Sequence, residues 1–349
     1  MELSQSQQFN EYELHEACFN SRGKPRLRIA RSFFQELTQE NLPFLIEVFR
    51  CWQQYDEYLL IEKEHIHTGE KQYKAVKCSK RGNDVHSRRV ERNLAFLRLH
   101  ENLEFFKPKD FDTEQVVKTR LLWVTLSWDS KLCSLQEALD TCEPLYNLWI
   151  TNLRNKYGHI DVMKNPDIFP DPNGEAYGYP HYHMILLFRD HEFTVFPWLK
   201  EDLSFEYRIH EKDELVKQGK WHSWVDVKAI NSMQGIHNYA VKHFLNSQFG
   251  DSDSALLNNS IMWLMKKKSY TISGDFRKTY HDLIMSLRSS KVFQLTLDGD
   301  SIPIWSCRLI GVYSFAELSK IKEFSVPPPW FIDFDGDEIE ELFDVRYRR

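Results

Sequence analysis

The strongest periodic signals lie in the middle of the chain. "RLLWVTLSWD" (Arg120 to Asp129) is rich in β-branched and aromatic residues and reads as a strand. "SLQEALDTCEPLYNLWITNLRNKYG" follows it, with Leu135, Leu139, Cys142, Leu145, Trp149 and Leu153 recurring at three-to-four spacing, which predicts a helix. Ser134 and Glu137 stand in the S-x-x-E arrangement of a capping box at its start, and Pro144 is expected to kink it. Next come a short strand, "HIDVMK", a turn-rich loop, "NPDIFPDPNGEAYGYP", and the strand "HYHMILLF". Residues Met184 to Phe188 are apolar on both faces, as in a central, doubly covered strand. "WHSWVDVKAI" predicts a further strand and "SMQGIHNYAVKHFLNS" a further helix. This order predicts an α+β fold with a central antiparallel sheet flanked by helices.

On either side the patterning changes. "RSFFQELTQENLPFLIEVFRCWQQYDEYLLIEKEH" spaces its apolar residues as helices do, broken at Pro43, so the N-terminal region is expected to be mostly helical. Lys71 to Arg98 then holds nine Lys or Arg against two acidic residues, which marks it as a candidate for phosphate contacts. At the far end "VPPPWFIDFDGDEIEELFDVRYRR" opens on prolines and turns acidic. The expected organisation is a helical, basic region over 1–112, an α+β domain over 113–290 and a C-terminal segment over 291–349.

Composition narrows the class. At 349 residues, 42% hydrophobic and 28% charged, the chain is that of a globular protein with a real core. A net charge of -6 argues against a protein that coats nucleic acid everywhere, yet a local basic groove remains compatible with it. Six scattered cysteines without a C-x-x-C pair read as reduced thiols. Together with a start that lacks the basic and apolar regions of a secretion signal, they predict a cytoplasmic protein. The apolar runs are too short to cross a bilayer, so no membrane partner is expected.

Candidate chemistry concentrates in "GYPHYHMILLF". On a strand, residues i and i+2 share a face, so His181 and His183 project together and Tyr182 points away. Two neutral imidazoles on one rigid face can converge on a single cation. His65 and His67 have the same spacing, but acidic and turn-prone residues surround them and they are not expected to form a site. Downstream, "NYAVKHF" sets Tyr239 and Lys242 one helical turn apart. A phenol is a poor nucleophile near neutral pH, whereas a nearby ammonium favours its phenolate. A tyrosine, a lysine and a two-histidine metal site are the parts needed for attack on a phosphodiester.

With these motifs in view the chain resembles the HUH endonucleases, specifically the rolling-circle replication initiators of plasmids and viruses. "LLWVTLSWD" is similar to the family's first motif, "PHYHMILLF" to its histidine–hydrophobic–histidine motif and "YAVKHF" to its Y-x-x-K motif, in the family's order over about Leu121 to Tyr280. The resemblance implies an HUH, ferredoxin-like core. It further implies Mg²⁺ or Mn²⁺ held by His181 and His183, attack by Tyr239 on the scissile phosphate, and Lys242 positioning or neutralising charge. The product would be a 5′-phosphotyrosyl enzyme with a free 3′-OH. The family's third metal ligand is a Glu or similar group before the histidine motif; Asp161, on the expected strand, and Glu175, in the loop, both compete for that role. Where many relatives carry a second tyrosine this chain has His243, which implies a single-tyrosine mechanism. The implied partners are single-stranded DNA or an origin hairpin, and a host helicase and polymerase. Two alternatives stand beside this: a transposase or mobilisation relaxase with the same chemistry, and a non-enzymatic nucleic-acid-binding regulator in which the histidines are core residues.

Overall fold

The computed structural model describes residues 11–21, 23–94, 103–113, 115–236, 252–282, 293–295, 301–303, 305–318, 320 and 332–333. Chain order begins with helices α1 (Glu11–Cys18), α2 (Leu27–Phe33) and α3 (Leu42–Gln54), strands β1 (Glu57–His65) and β2 (Lys71–Lys77), and helix α4 (Asp84–Leu94). After these come β3 (Lys118–Thr119), β4 (Leu121–Ser127), α5 (Leu135–Tyr157), β5 (Ile160–Ile168), β6 (Pro180–Phe188), β7 (Phe193–Leu199) and β8 (Phe205–Ile209). Then follow α6 (Lys212–Gly219), β9 (Val225–Ala229), α7 (Met233–Ile236), α8 (Asp253–Leu264) and β10 (Thr271–Ser273). The last are β11 (Phe293–Leu295), β12 (Ser301–Pro303), β13 (Trp305–Ser314), α9 (Phe315–Leu318) and β14 (Ile332–Asp333). The chain is an α+β protein with antiparallel sheets. It divides into two units, residues 1–52 with 95–279 and residues 53–94 with 280–349.

The first unit is built on a five-stranded sheet in the order β10–β5–β6–β4–β9, every pair antiparallel. β6 is its central strand and is buried along its whole length. Alternation gives the sheet two unlike faces. Leu122, Val124, Leu126, Val162, Met184, Leu186 and Phe188 belong to one core cluster with Leu139, Cys142, Tyr146, Trp149 and Leu153 of α5. Burying each such Leu or Val side chain stabilises the fold by about 1.5–3 kcal/mol.

Helix α5 starts as the sequence predicts, the Ser134 hydroxyl accepting from the Glu137 N–H at 3.2 Å, and it continues through Pro144. It stops at Gly158, whose φ of +79° is left-handed; a Cβ there would lie 2.2 Å from the Asp190 carboxylate, so a glycine is required. One polar cluster interrupts the apolar side. Lys164 reaches Glu143 at 2.6 Å and sits over the Tyr146 and Tyr182 rings, while the Tyr182 hydroxyl donates to Glu143 at 3.0 Å. Burial opposes the charge on Glu143, yet Lys164 and the Tyr182 hydroxyl hold its carboxyl below the usual carboxylate range.

The second unit corrects the expected N-terminal organisation. "YDEYLLIEKEH", read as helical, forms β1, which pairs with β2 on one side and with β13 on the other. A short apolar run such as Tyr58 to Ile61 satisfies either period, and the partner strand some 250 residues later in the chain is what makes it a strand. The boundaries at 112 and 291 therefore fall inside the two units rather than between them. β1 ends at His65, and His67 lies exposed in the turn that follows. Several charges of the basic stretch face carboxylates of this same unit: Lys71 lies 3.6 Å from Glu62, Lys77 2.9 Å from Asp56, Lys80 3.3 Å from Glu57 and Arg88 3.4 Å from Asp84. Among the described residues no helix is long and apolar enough to cross a membrane.

Candidate metal centre

The two histidines enter at the start of β6, where neighbouring strands hold them from both sides. His181 lies opposite Ser127 of β4 and Asp167 of β5; His183 lies opposite Thr125 and Asn165. Directly paired antiparallel residues project to the same side, so Asp167 joins the two imidazoles on the face away from α5. The Asp167 Oδ2 is 3.6 Å from His181 Nε2 and 3.8 Å from His183 Nε2. The rings meet edge to face with centroids 4.7 Å apart. All three residues are buried, and one donor atom from each falls within 4.8 Å of the others.

Neighbouring side chains fix each ring. His183 Nδ1 meets the Thr125 hydroxyl at 3.1 Å, and Trp123 stacks on the same ring at 5.3 Å. With Nδ1 on the Thr125 hydroxyl, Nε2 is the nitrogen that faces Asp167. Phe169 packs against His181 at 4.3 Å. Tyr182 turns to the opposite face, in keeping with strand alternation.

This donor set suits a divalent cation. Burial pushes the Asp167 carboxyl from 3.8 up to about 7, with the Ile168 N–H at 2.9 Å opposing. Its ion-pair partners among the described residues are imidazoles, so no Lys or Arg of the described chain neutralises it. Two donors each about 2.1 Å from one Mg²⁺ lie about 3.0 Å apart when adjacent and about 4.2 Å when opposed. The observed separations of 3.6 and 3.8 Å fall between these values and exceed a direct hydrogen bond.

The other expected ligands lie elsewhere. Asp161 is on β5 and on the same face, but it pairs with Leu187, six residues from Asp167 and therefore roughly 20 Å along the strand. There it accepts from Arg189 and from the Asp275 N–H, and His159 lies 3.0 Å away. Glu175 is exposed and pairs with Lys131 at 3.2 Å. The carboxylate that groups with the two histidines is Asp167, inside a segment that reads as loop from sequence. β5 in fact runs on through Asn165, Pro166, Asp167 and Ile168. β10 pairs with β5 only as far as Lys164, so Pro166 lies beyond that ladder and its missing N–H costs no hydrogen bond to β10. Continuing the alternation from Asp161 through Met163 and Asn165 would have pointed to Asp167. Tyr239 and Lys242 lie outside the described residues, which pause at Ile236.

No family model, curated protein or solved structure matches the chain.

Proposed function

We propose that this protein is a metal-dependent endonuclease and strand transferase that nicks and rejoins single-stranded DNA at a replication origin through a 5′-phosphotyrosine. The observation that supports it most is the buried trio of Asp167, His181 and His183 at the mouth of a central antiparallel strand. Asp167, His181 and His183 would supply three ligands to a divalent cation, and phosphate oxygens and water would supply the rest. A Mg²⁺ or Mn²⁺ ion held there would polarise the phosphodiester as a Lewis acid.

The remaining roles belong to the chain's own groups and extend from the resemblance of its motifs to the HUH initiators. Tyr239 supplies the nucleophile: its Oη forms a bond to phosphorus, the P–O3′ bond breaks, and the phenolic proton is transferred overall to the departing 3′ oxygen. Lys242 favours the phenolate by its positive charge. Because the phosphotyrosine conserves the phosphodiester energy, the reverse attack by a 3′-OH rejoins the strand. The sequence holds no G-x-x-x-x-G-K-[ST] loop, so in this reading a separate helicase opens the duplex and a polymerase extends the 3′ end.

The test is an adduct. Incubated with Mn²⁺ and labelled single-stranded DNA from its own replicon, the protein should give a denaturant-stable conjugate, with the nucleotide on the peptide that contains Tyr239. Tyr239→Phe should keep DNA binding and lose both cleavage and conjugate. Cleavage without any conjugate would mean hydrolysis and would overturn the reading.

A further inference from the structure

Beside the metal trio lies an open cavity of about 570 Å³, within the usual range of ligand pockets. Three segments at the same end of the sheet wall it: the exit of β4, the loop between β5 and β6, and the entrance to β9. It adjoins the trio at two points. Ser127 lines it and is the cross-strand partner of His181, and Phe169 lines it while packing on the His181 ring. We infer that this cavity binds one unpaired nucleobase of the single-stranded substrate, stacked against Trp224 and hydrogen-bonded by Asp171, next to the phosphate that the metal trio would hold. The inference rests on the proposed DNA chemistry and names the substrate contact of that site.

The lining chemistry selects a base over a phosphate. Aromatic groups are supplied by Trp224, Phe169 and Tyr177, and charged groups by Asp129, Asp171 and Glu175. Lys131 is the one cation among the lining residues, and it is paired with Glu175. An anion would meet net repulsion there, whereas amino groups of adenine, cytosine or guanine find carboxylate acceptors. Trp224 is 58% exposed although its neighbours Val225 and Trp221 are buried, so its indole presents a face to solvent at the rim. Base stacking on such a face is largely sequence-tolerant.

The walls are held in place before any ligand arrives. The Trp224 carbonyl accepts from the Ser127 N–H at 3.1 Å, fastening the rim to β4. Across the cavity the loop is closed by Phe169 N–H to the Tyr179 carbonyl and Gly178 N–H to the Phe169 carbonyl, each at 3.0 Å. The Gln39 amide donates to the Glu175 and Tyr177 carbonyls at 3.0 and 2.9 Å. Asp171 spends one lone pair on the Asn173 N–H at 3.0 Å, and a carboxylate has about four.

Binding of fluorescent 12-mers, measured in EDTA so that no cleavage intervenes, tests this. The probes are dC12, dA12, dT12 and a 12-mer abasic at every position, which carries equal phosphate charge. The wild type should bind dC12 at least about tenfold tighter than the abasic strand. Trp224→Ala should erase most of that ratio without weakening the abasic strand, and Trp224→Phe should restore it. Asp171→Asn should lower dC12 and dA12 relative to dT12. Equal weakening of every probe by Trp224→Ala, no effect of that change, or no binding of any strand by the wild type would each overturn the inference. The Tyr239 conjugate is scored separately, so a chain that forms it yet ignores bases at Trp224 loses the pocket and keeps the chemistry.

Discussion

β5 carries two carboxylates on one face, and they have opposite fates. Asp161, fully buried, accepts from Arg189 at 2.7 Å and from the Asp275 N–H at 2.7 Å, with His159 at 3.0 Å. Asp167, six positions on, has two imidazoles beside it and burial strong enough to raise its carboxyl to about 7. By residue type alone both ends look like metal sites, since His159, Asp161 and Asp275 also cluster. Arg189 separates them. A carboxylate that already has a guanidinium has no electrostatic need of a cation, whereas a desolvated one with no Lys or Arg beside it among the described residues gains from one. A cluster of ligand-type residues becomes a candidate centre only when the fold withholds its own positive charge.

The largest effect expected from this contrast is on chemistry. His181→Ala or His183→Ala should lower nicking by about a thousandfold or more while costing about 1–2 kcal/mol of stability, read from a cleavage assay beside denaturant unfolding. EDTA should act on the wild type in the same way and Mn²⁺ should reverse it. Undiminished cleavage in excess chelator would remove the metal from the mechanism.

At the other end of the strand the effect should be on folding instead. Arg189→Met leaves Asp161 buried without its guanidinium and should cost about 3–5 kcal/mol in unfolding free energy. Metal affinity should stay unchanged in whatever fraction folds. A loss under about 1 kcal/mol would show that the two carboxylates are less different than their partners imply.

Acidity sharpens the contrast further. The folded-state value for Asp167 is raised, so its neutral form favours the fold. In the metal-free protein that stabilisation is complete below about pH 4 and disappears as the pH rises through about 7. Unfolding free energies measured in EDTA should therefore fall, on the order of a few kcal/mol, between those limits. Asp167→Asn should flatten that part of the profile, and saturating Mn²⁺ should stabilise the wild type most above pH 7. A wild-type profile identical to that of Asp167→Asn would contradict the burial argument.

The smallest predicted change concerns the hydroxyl behind the His183 ring. Thr125→Val keeps the shape and removes the partner of His183 Nδ1, so Mn²⁺ affinity should fall by about tenfold. Calorimetric titration reads this directly, and unchanged affinity would mean that this hydroxyl does not orient the ring.

Much of this architecture can be read from local pattern. The β-branched run of β4, the helical spacing and Ser134 cap of α5, and the apolar run of β6 all match their elements within a few residues. Strand alternation also places His181 and His183 on one face and Tyr182 on the other before any partner strand is known. These are properties of a segment and its immediate neighbours, which is why periodicity captures them.

Asp167 and β1 were illegible for a shared reason. A proline and a turn-like composition disguise the end of β5, and the apolar run of β1 suits helix or strand equally well. In each case the answer comes from a partner: Tyr182 and His181 across from Pro166 and Asp167, and β13 across from β1. Hydrogen-bonding demand is met by the adjacent strand, not by the segment itself, so pairing overrides local preference. The same holds for the charges. Asp161 and Asp167 are the same residue type on one face of one strand, and only the return of Arg189 and Asp275 beside the first, and of two imidazoles beside the second, makes one a strut and the other a candidate ligand.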